Sequence, residues 1–141
     1  MMTEWLTRTV EETAAAAAHL GARLTGGETL LLEGPLGAGK TAFVQGLAKA
    51  LGAQAIATSP TFAILNTYPL AHPTFTTLVH LDLYRLKKEE ELLELGLEEW
   101  LGREDVIVAV EWPSVAGEVE WPKAIHLTFA YADDGRKIIL S

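Results

Sequence analysis

Apolar positions change their period several times along the chain, and each change marks a predicted element. Residues 10–24 contain the alanine run 14–18, which has high intrinsic helix propensity. Thr9 and Glu12 stand before it at capping-box spacing, so a helix is expected there, stopped by Gly26 and Gly27. Residues 28–33 (ETLLLE) form a short apolar run bounded by glycine, the pattern of a buried strand. Residues 40–51 return to helical spacing through Phe43, Leu47, Ala48 and Leu51.

Residues 58–73 hold three prolines among Ser, Thr and Asn and are expected to be extended segments and loops. Residues 78–84 (LVHLDLY) alternate, with His80, Asp82 and Tyr84 on one face and Val79, Leu81 and Leu83 on the other. The leucine spacing of 86–101 predicts another helix, and the unbroken run 106–110 (VIVAV) predicts a central parallel strand. Residues 124–131 and 137–140 complete a hairpin turned at Asp133, Asp134 and Gly135. Helices alternate with strands, so the fold class is α/β: one P-loop domain over 1–141, with a mainly parallel sheet flanked by helices and a C-terminal antiparallel β-hairpin.

Between the first predicted strand and the second helix lies Gly34-Pro35-Leu36-Gly37-Ala38-Gly39-Lys40-Thr41, which fits GxxxxGK[ST] at every fixed position. A chain of this length would carry such a string by chance about once in 200 sequences, and the flanking elements make chance a weaker account still. Glycines let successive backbone N–H groups face a phosphate at the positive end of a helix. Gly34, Leu36, Gly37, Ala38 and Gly39 are therefore expected around the phosphates. Lys40 adds a mobile cation for the β and γ groups, and Thr41 offers a hydroxyl to Mg²⁺. ATP and Mg²⁺ are the expected cofactors; the alternative is an ordinary glycine-rich turn with a solvated lysine.

Such a loop needs carboxylates near the metal, at the carboxyl ends of neighbouring strands. Glu111 follows the apolar run 106–110 directly, so its charge is expected to emerge at the strand end, within reach of Mg²⁺ directly or through water; the alternative is an ordinary exposed carboxylate there. Asp82 reads as lying inside a strand, so its carboxylate must be metal-linked or paired, with Arg85 or His80 as the structural partners. Trp112 could stack on a base or fill the core. Thr61, in Ser59-Pro60-Thr61, could sense the γ-phosphate or sit in an ordinary turn.

Composition narrows the setting. The 141 residues are 49% apolar and 21% charged, with no cysteine, which excludes disulfides, thiolate zinc and a cysteine nucleophile. The start lacks the basic and apolar pattern of a signal peptide, and no apolar run approaches the roughly 20 residues of a membrane span. A cytoplasmic protein away from membranes is expected. The formal charge of −8 opposes tight binding to a phosphate backbone by this chain alone.

Taken together, LLLEGPLGAGKT, SPTF at 59–62, HLDLYRL at 80–86 and VEWP at 110–113 resemble, in order and spacing, the bacterial TsaE (YjeE) family. The resemblance runs from the N-terminal helix to Gly135 and Arg136. It implies an ATPase that serves formation of N6-threonylcarbamoyladenosine at position 37 of tRNA, with TsaD, which transfers the threonylcarbamoyl group, and its scaffold TsaB as partners; tRNA is reached indirectly.

By that likeness Lys40 and Thr41 are the P-loop lysine and the magnesium ligand, and Thr61 belongs to a switch-like loop. Asp82 is the Walker-B-type acid, Glu111 a second magnesium-side carboxylate, and Trp112 the tryptophan beside the nucleotide. Thr9, Thr13 and Arg136 fall where family members approach the base or phosphates. Pro35 departs from a common acidic residue but removes no donor the loop requires.

Two other classes compete. A small-molecule kinase needs a lid with several arginines over the phosphates, and the lid-sized segment 87–103 is mostly acidic and leucine-rich. A nucleotide-dependent binding module without turnover would use 58–73 as a switch.

Overall fold

The computed structural model describes residues 3–54, 64–87 and 89–141. In chain order its elements are β1 (Thr3–Thr7), α1 (Val10–Gly21), β2 (Thr29–Glu33), α2 (Lys40–Ala50), β3 (Leu65–Pro69), β4 (Thr77–Asp82), α3 (Glu89–Leu93), β5 (Val106–Glu111), β6 (Ala124–Ala132) and β7 (Gly135–Leu140). The strands form one sheet in the order β1-β7-β6-β2-β5-β4-β3. Its centre, β6-β2-β5-β4, is parallel, and antiparallel pairings of β1 with β7, β6 with β7 and β3 with β4 complete it. The expected α/β layering with a C-terminal hairpin is present.

Parallel strands are covered on both faces, which is why ETLLLE and VIVAV show no polar alternation. Leu30 and Leu32 point into a core with Ala16, Ala17, Leu20, Phe43, Val44 and Leu47 from α1 and α2. Leu31, Val108 and Val110 point the other way, against Val79, Leu81, Leu86, Leu97 and Ala116. On the helical side the small residues have a purpose. A Cβ on Gly46 of α2 would lie 2.6 Å from Ala14 Cα of α1, so a glycine and an alanine let the two helices touch almost backbone to backbone.

Thr9 caps α1 as its spacing predicts: its Oγ1 accepts the Glu12 N–H at 3.0 Å, while Glu12 Oε1 reaches back to the Arg8 N–H at 2.6 Å. The helix ends at Gly21 rather than at residue 24, because the chain tightens into bonds from Arg23 N–H to Leu20 and from Leu24 N–H to Gly21.

The single helix expected over 86–101 is absent. Among the described residues of this span only Glu89–Leu93 and a 3-10 turn at Leu97–Glu99 are helical, separated by Gly96 in the left-handed region at φ 68°. Burial of Leu86, Leu92 and Leu97 against the second sheet face accounts for the leucine spacing without one continuous helix.

β1 was not expected, and β3 falls among the extended segments expected over 58–73. β1 pairs with β7, Thr3 opposite Leu140 through Thr7 opposite Arg136, and β3 pairs with β4 from Leu65 opposite Leu81. No helix among the described residues is long and apolar enough to cross a membrane.

Candidate functional site

β2 leads into the glycine-rich loop and α2 leaves it, which places the loop at the carboxyl end of the parallel strands. Gly34, Gly37 and Gly39 adopt φ of 150°, 79° and 103°. A Cβ at Gly34 would collide with the Phe129 carbonyl oxygen on β6, and one at Gly37 would lie 2.8 Å from the Tyr131 hydroxyl. The curl therefore needs glycine both for its dihedrals and for its closeness to β6.

α2 starts after Gly39 with no side chain capping it and no acidic residue in its first turn. The N–H groups of that turn are left for an anion.

The hairpin braces the loop from outside. Tyr131 donates its hydroxyl to the Leu36 carbonyl at 2.5 Å, Arg136 Nε donates to the Gly37 carbonyl at 3.0 Å, and the Arg136 guanidinium lies 4.7 Å from the centre of the Tyr131 ring. No local signal marks Tyr131, because its partner lies 95 positions away.

A cleft of about 380 Å³ opens between the loop, the start of α1 and the start of β7. It brings together Leu36, Gly37, Gly39, Lys40 and Thr41 with Thr9, Thr13, Glu111 and Arg136. Thr9 is occupied as the cap of α1, and Thr13 donates its hydroxyl to Thr7 Oγ1 at 2.9 Å. Gly34, Ala38, Asp82 and Trp112 are not among the residues that line this cleft. Thr61 and the SPTF segment lie outside the described residues.

Lys40 is not a mobile surface cation. It is only 4% exposed; its Nζ donates to the Gly34 carbonyl at 2.5 Å and sits 3.5 Å from the centre of the Trp112 ring. Burial pushes the amine below its ordinary pKa, and the fields of Glu111, Glu33 and Asp82 act against that shift. A phosphate beside it would supply the counter-charge that the site leaves to longer-range carboxylates.

Trp112 itself holds a left-handed backbone at φ 59°, unusual for a bulky residue. Its N–H donates to Leu32, the next turn is pinned by Ser114 N–H on Glu33 Oε1 at 2.9 Å, and its ring lies 5.0 Å from Tyr84.

Glu111 ends β5, 3% exposed. Its two oxygens lie 3.4 and 3.5 Å from Thr41 Oγ1, and Oε2 lies 2.6 Å from His80 Nε2. Asp82 is the last residue of β4 and stands opposite Glu111 in the register, which corrects its expected place inside the strand. Of the alternatives open for Asp82, metal linkage or pairing with Arg85 or His80, the His80 pairing is not made: Nε2 of His80 goes to Glu111, and its Nδ1 has no partner among the described residues. The bond runs diagonally between the strands, because His80 stands opposite Ala109, two residues before Glu111 on β5. Asp82 Oδ1 accepts the Tyr84 N–H at 3.1 Å.

A parallel sheet whose central strand runs through such a loop into a helix defines a P-loop-type α/β domain. Residues 7–138 match the family Threonylcarbamoyl adenosine biosynthesis protein TsaE. The tRNA threonylcarbamoyladenosine biosynthesis protein TsaE of Nostoc sp. is 44% identical over 84% of this chain and 72% of its own length. The protein of that name from Bacillus subtilis is 38% identical, covering 96% of this chain and 82% of its own, and that from Treponema pallidum is 38% identical, covering 96% and 98%. The crystal structure of Bacillus subtilis YdiB superposes with a TM-score of 0.78 at 32% identity, over 99% of this chain and 84% of that one. The chain belongs to the TsaE family, which acts in tRNA threonylcarbamoyladenosine biosynthesis.

Proposed function

We propose that this chain binds Mg-ATP in the cleft beside the glycine-rich loop and hydrolyses it in the cytoplasm, in support of N6-threonylcarbamoyladenosine formation at position 37 of tRNA. TsaD and TsaB are its proposed partners. The observation that carries the reading is the convergence of three groups: the uncapped start of α2, the Lys40 amine, and Thr41 against Glu111.

The residues fit a magnesium ion chemically. A hydroxyl and a carboxylate are hard oxygen donors, and Mg²⁺ ordinarily takes one or two carboxylates while water and phosphate complete its coordination. Thr41 and Glu111 would hold it, with Asp82 adding negative charge from the end of the adjacent strand. When bound, the ion neutralises charge on the phosphate oxygens.

The chain's own part is largely positional. Backbone N–H groups of the loop and of the first turn of α2 bind the phosphates, and Lys40 leaves the Gly34 carbonyl to meet the terminal ones. Tyr131 and Arg136 keep the loop curled before the nucleotide arrives, so less ordering is required on binding. With a net charge of −8, the chain reaches tRNA through its partners rather than by its own surface.

The test is size-exclusion chromatography of the chain with TsaB and TsaD, combined with phosphate-release assays. Entry into the complex only with ATP, with turnover that rises when both partners are present, supports the proposal. Assembly that ignores nucleotide contradicts the partnership, and ATP-dependent assembly without phosphate release favours a binding module over an ATPase.

A further inference from the structure

His80 is a buried polar residue in a strand that has no packing need for one. It is fully buried, as are its strand neighbours Val79 and Leu81, and it lies opposite Ala109 in the register with β5. An apolar side chain would fill this place without burying two ring nitrogens. Nε2 lies 2.6 Å from Glu111 Oε2, and Nδ1 has no partner among the described residues. A proton on Nε2 is used, whereas a proton on Nδ1 would be a buried donor with nothing to accept it. The surroundings therefore select the Nε2–H tautomer.

The bond acts on a carboxylate that would otherwise turn. The terminal torsion of a glutamate is broad and weakly preferred, yet Glu111 presents its two oxygens almost equally to Thr41 Oγ1, at 3.4 and 3.5 Å. Its orienting partner comes from the adjacent parallel strand, β4. We propose that His80 is a positioning residue: by donating Nε2–H to Glu111 Oε2 it fixes the plane of the Glu111 carboxylate toward Thr41 and so sets how strongly the site uses Mg²⁺. This rests on the Mg-ATP reading above.

Partners that orient a metal-binding carboxylate typically contribute about 10- to 100-fold in metal affinity or activity. The experiment compares His80→Leu, which removes the donor and keeps an apolar filling of similar bulk, with His80→Gln, which can return an amide N–H to the place of Nε2.

The Mg²⁺ concentration giving half-maximal ATP hydrolysis, measured with TsaB and TsaD, should rise about tenfold in His80→Leu and fall back toward the parent in His80→Gln. ATP affinity in EDTA should stay within about twofold of the parent in both. An unchanged Mg²⁺ midpoint in His80→Leu overturns the proposal. So does an equal loss in both variants with or without Mg²⁺, which marks a packing role.

A second readout needs no nucleotide. In histidine-labelled protein, ring ¹⁵N NMR, assigned by the loss of one signal in His80→Gln, should show a proton on His80 Nε2; a ring protonated on Nδ1 alone overturns the proposal. If the parent binds no nucleotide in a Mg²⁺-dependent way while the Nε2–H tautomer is present, the Mg-ATP reading fails and the His80–Glu111 geometry stands.

Discussion

The Lys40 ammonium lies 3.5 Å from the centre of the Trp112 ring, so the phosphate-binding cation and the tryptophan after Glu111 form one unit. A desolvated cation over an indole is worth about 2 kcal/mol, enough to hold Lys40 in place yet small beside a triphosphate. Mg-ATP or Mg-ADP should draw Lys40 off the ring and change tryptophan fluorescence. The change should vanish in Trp112→Phe and persist in Trp5→Phe, Trp100→Phe and Trp121→Phe. A signal that survives Trp112→Phe and disappears in Trp100→Phe would place the reporter on the acidic segment instead.

Gly46 and Gly21 make a paired test of the helix contact. Alanine in place of a helical glycine should gain about 1 kcal/mol from propensity. At Gly46 the new Cβ meets Ala14 Cα at 2.6 Å, a backbone atom; at Gly21 it meets the end of the Leu47 side chain at 3.2 Å, which can move. Overpacking costs about 1–3 kcal/mol, so Gly46→Ala should lower stability in urea unfolding while Gly21→Ala is neutral or slightly stabilising. Equal gains in both would mean that α1 and α2 have room to part.

Glu28 predicts a pH dependence. Burial raises its pKa, but the N–H groups of Thr25 and Gly26 and the Thr25 hydroxyl bond its carboxylate at 2.7, 2.5 and 3.1 Å and prevail, so the value is lowered overall. A carboxylate with a depressed folded pKa contributes stability that is present above its unfolded pKa and is lost as pH falls through the folded value. Glu28→Gln should therefore lose about 1–3 kcal/mol at neutral pH, and its deficit should shrink steadily in acid. Stability–pH curves that run parallel to the acid limit would remove Glu28 from the account.

What could be read from the sequence is what is local. The strand, loop and helix around residues 28–51 are announced by a fixed string flanked by two clear periods, and Glu111 by the end of an apolar run. β1 and β3 lie at the sheet edges and are only partly buried, so no strong apolar pattern marks them.

The end of β4 was misplaced because it is set by pairing, Thr77 to Asp82 against Val106 to Glu111, and not by the alternation that continues to Tyr84. The His80–Glu111 bond and the Tyr131 brace join residues 31 and 95 positions apart. Spacing carries no record of such contacts. The burial of Lys40 against Trp112 has the same origin: it depends on the left-handed turn after β5, which no residue preference foretells.

The most direct test of the central claim is calorimetric titration of Mg-ATP into the parent and into Lys40→Ala. Because Lys40 is buried against Trp112, the variant gives up some packing, but it also loses a cation that burial disfavours, and it should still unfold cooperatively. A charge-assisted hydrogen bond to phosphate is worth about 1.5–3 kcal/mol, so the parent should bind one Mg-ATP and the variant at least about tenfold more weakly. Equal affinities in the two folded proteins would contradict the assignment of the nucleotide to this loop.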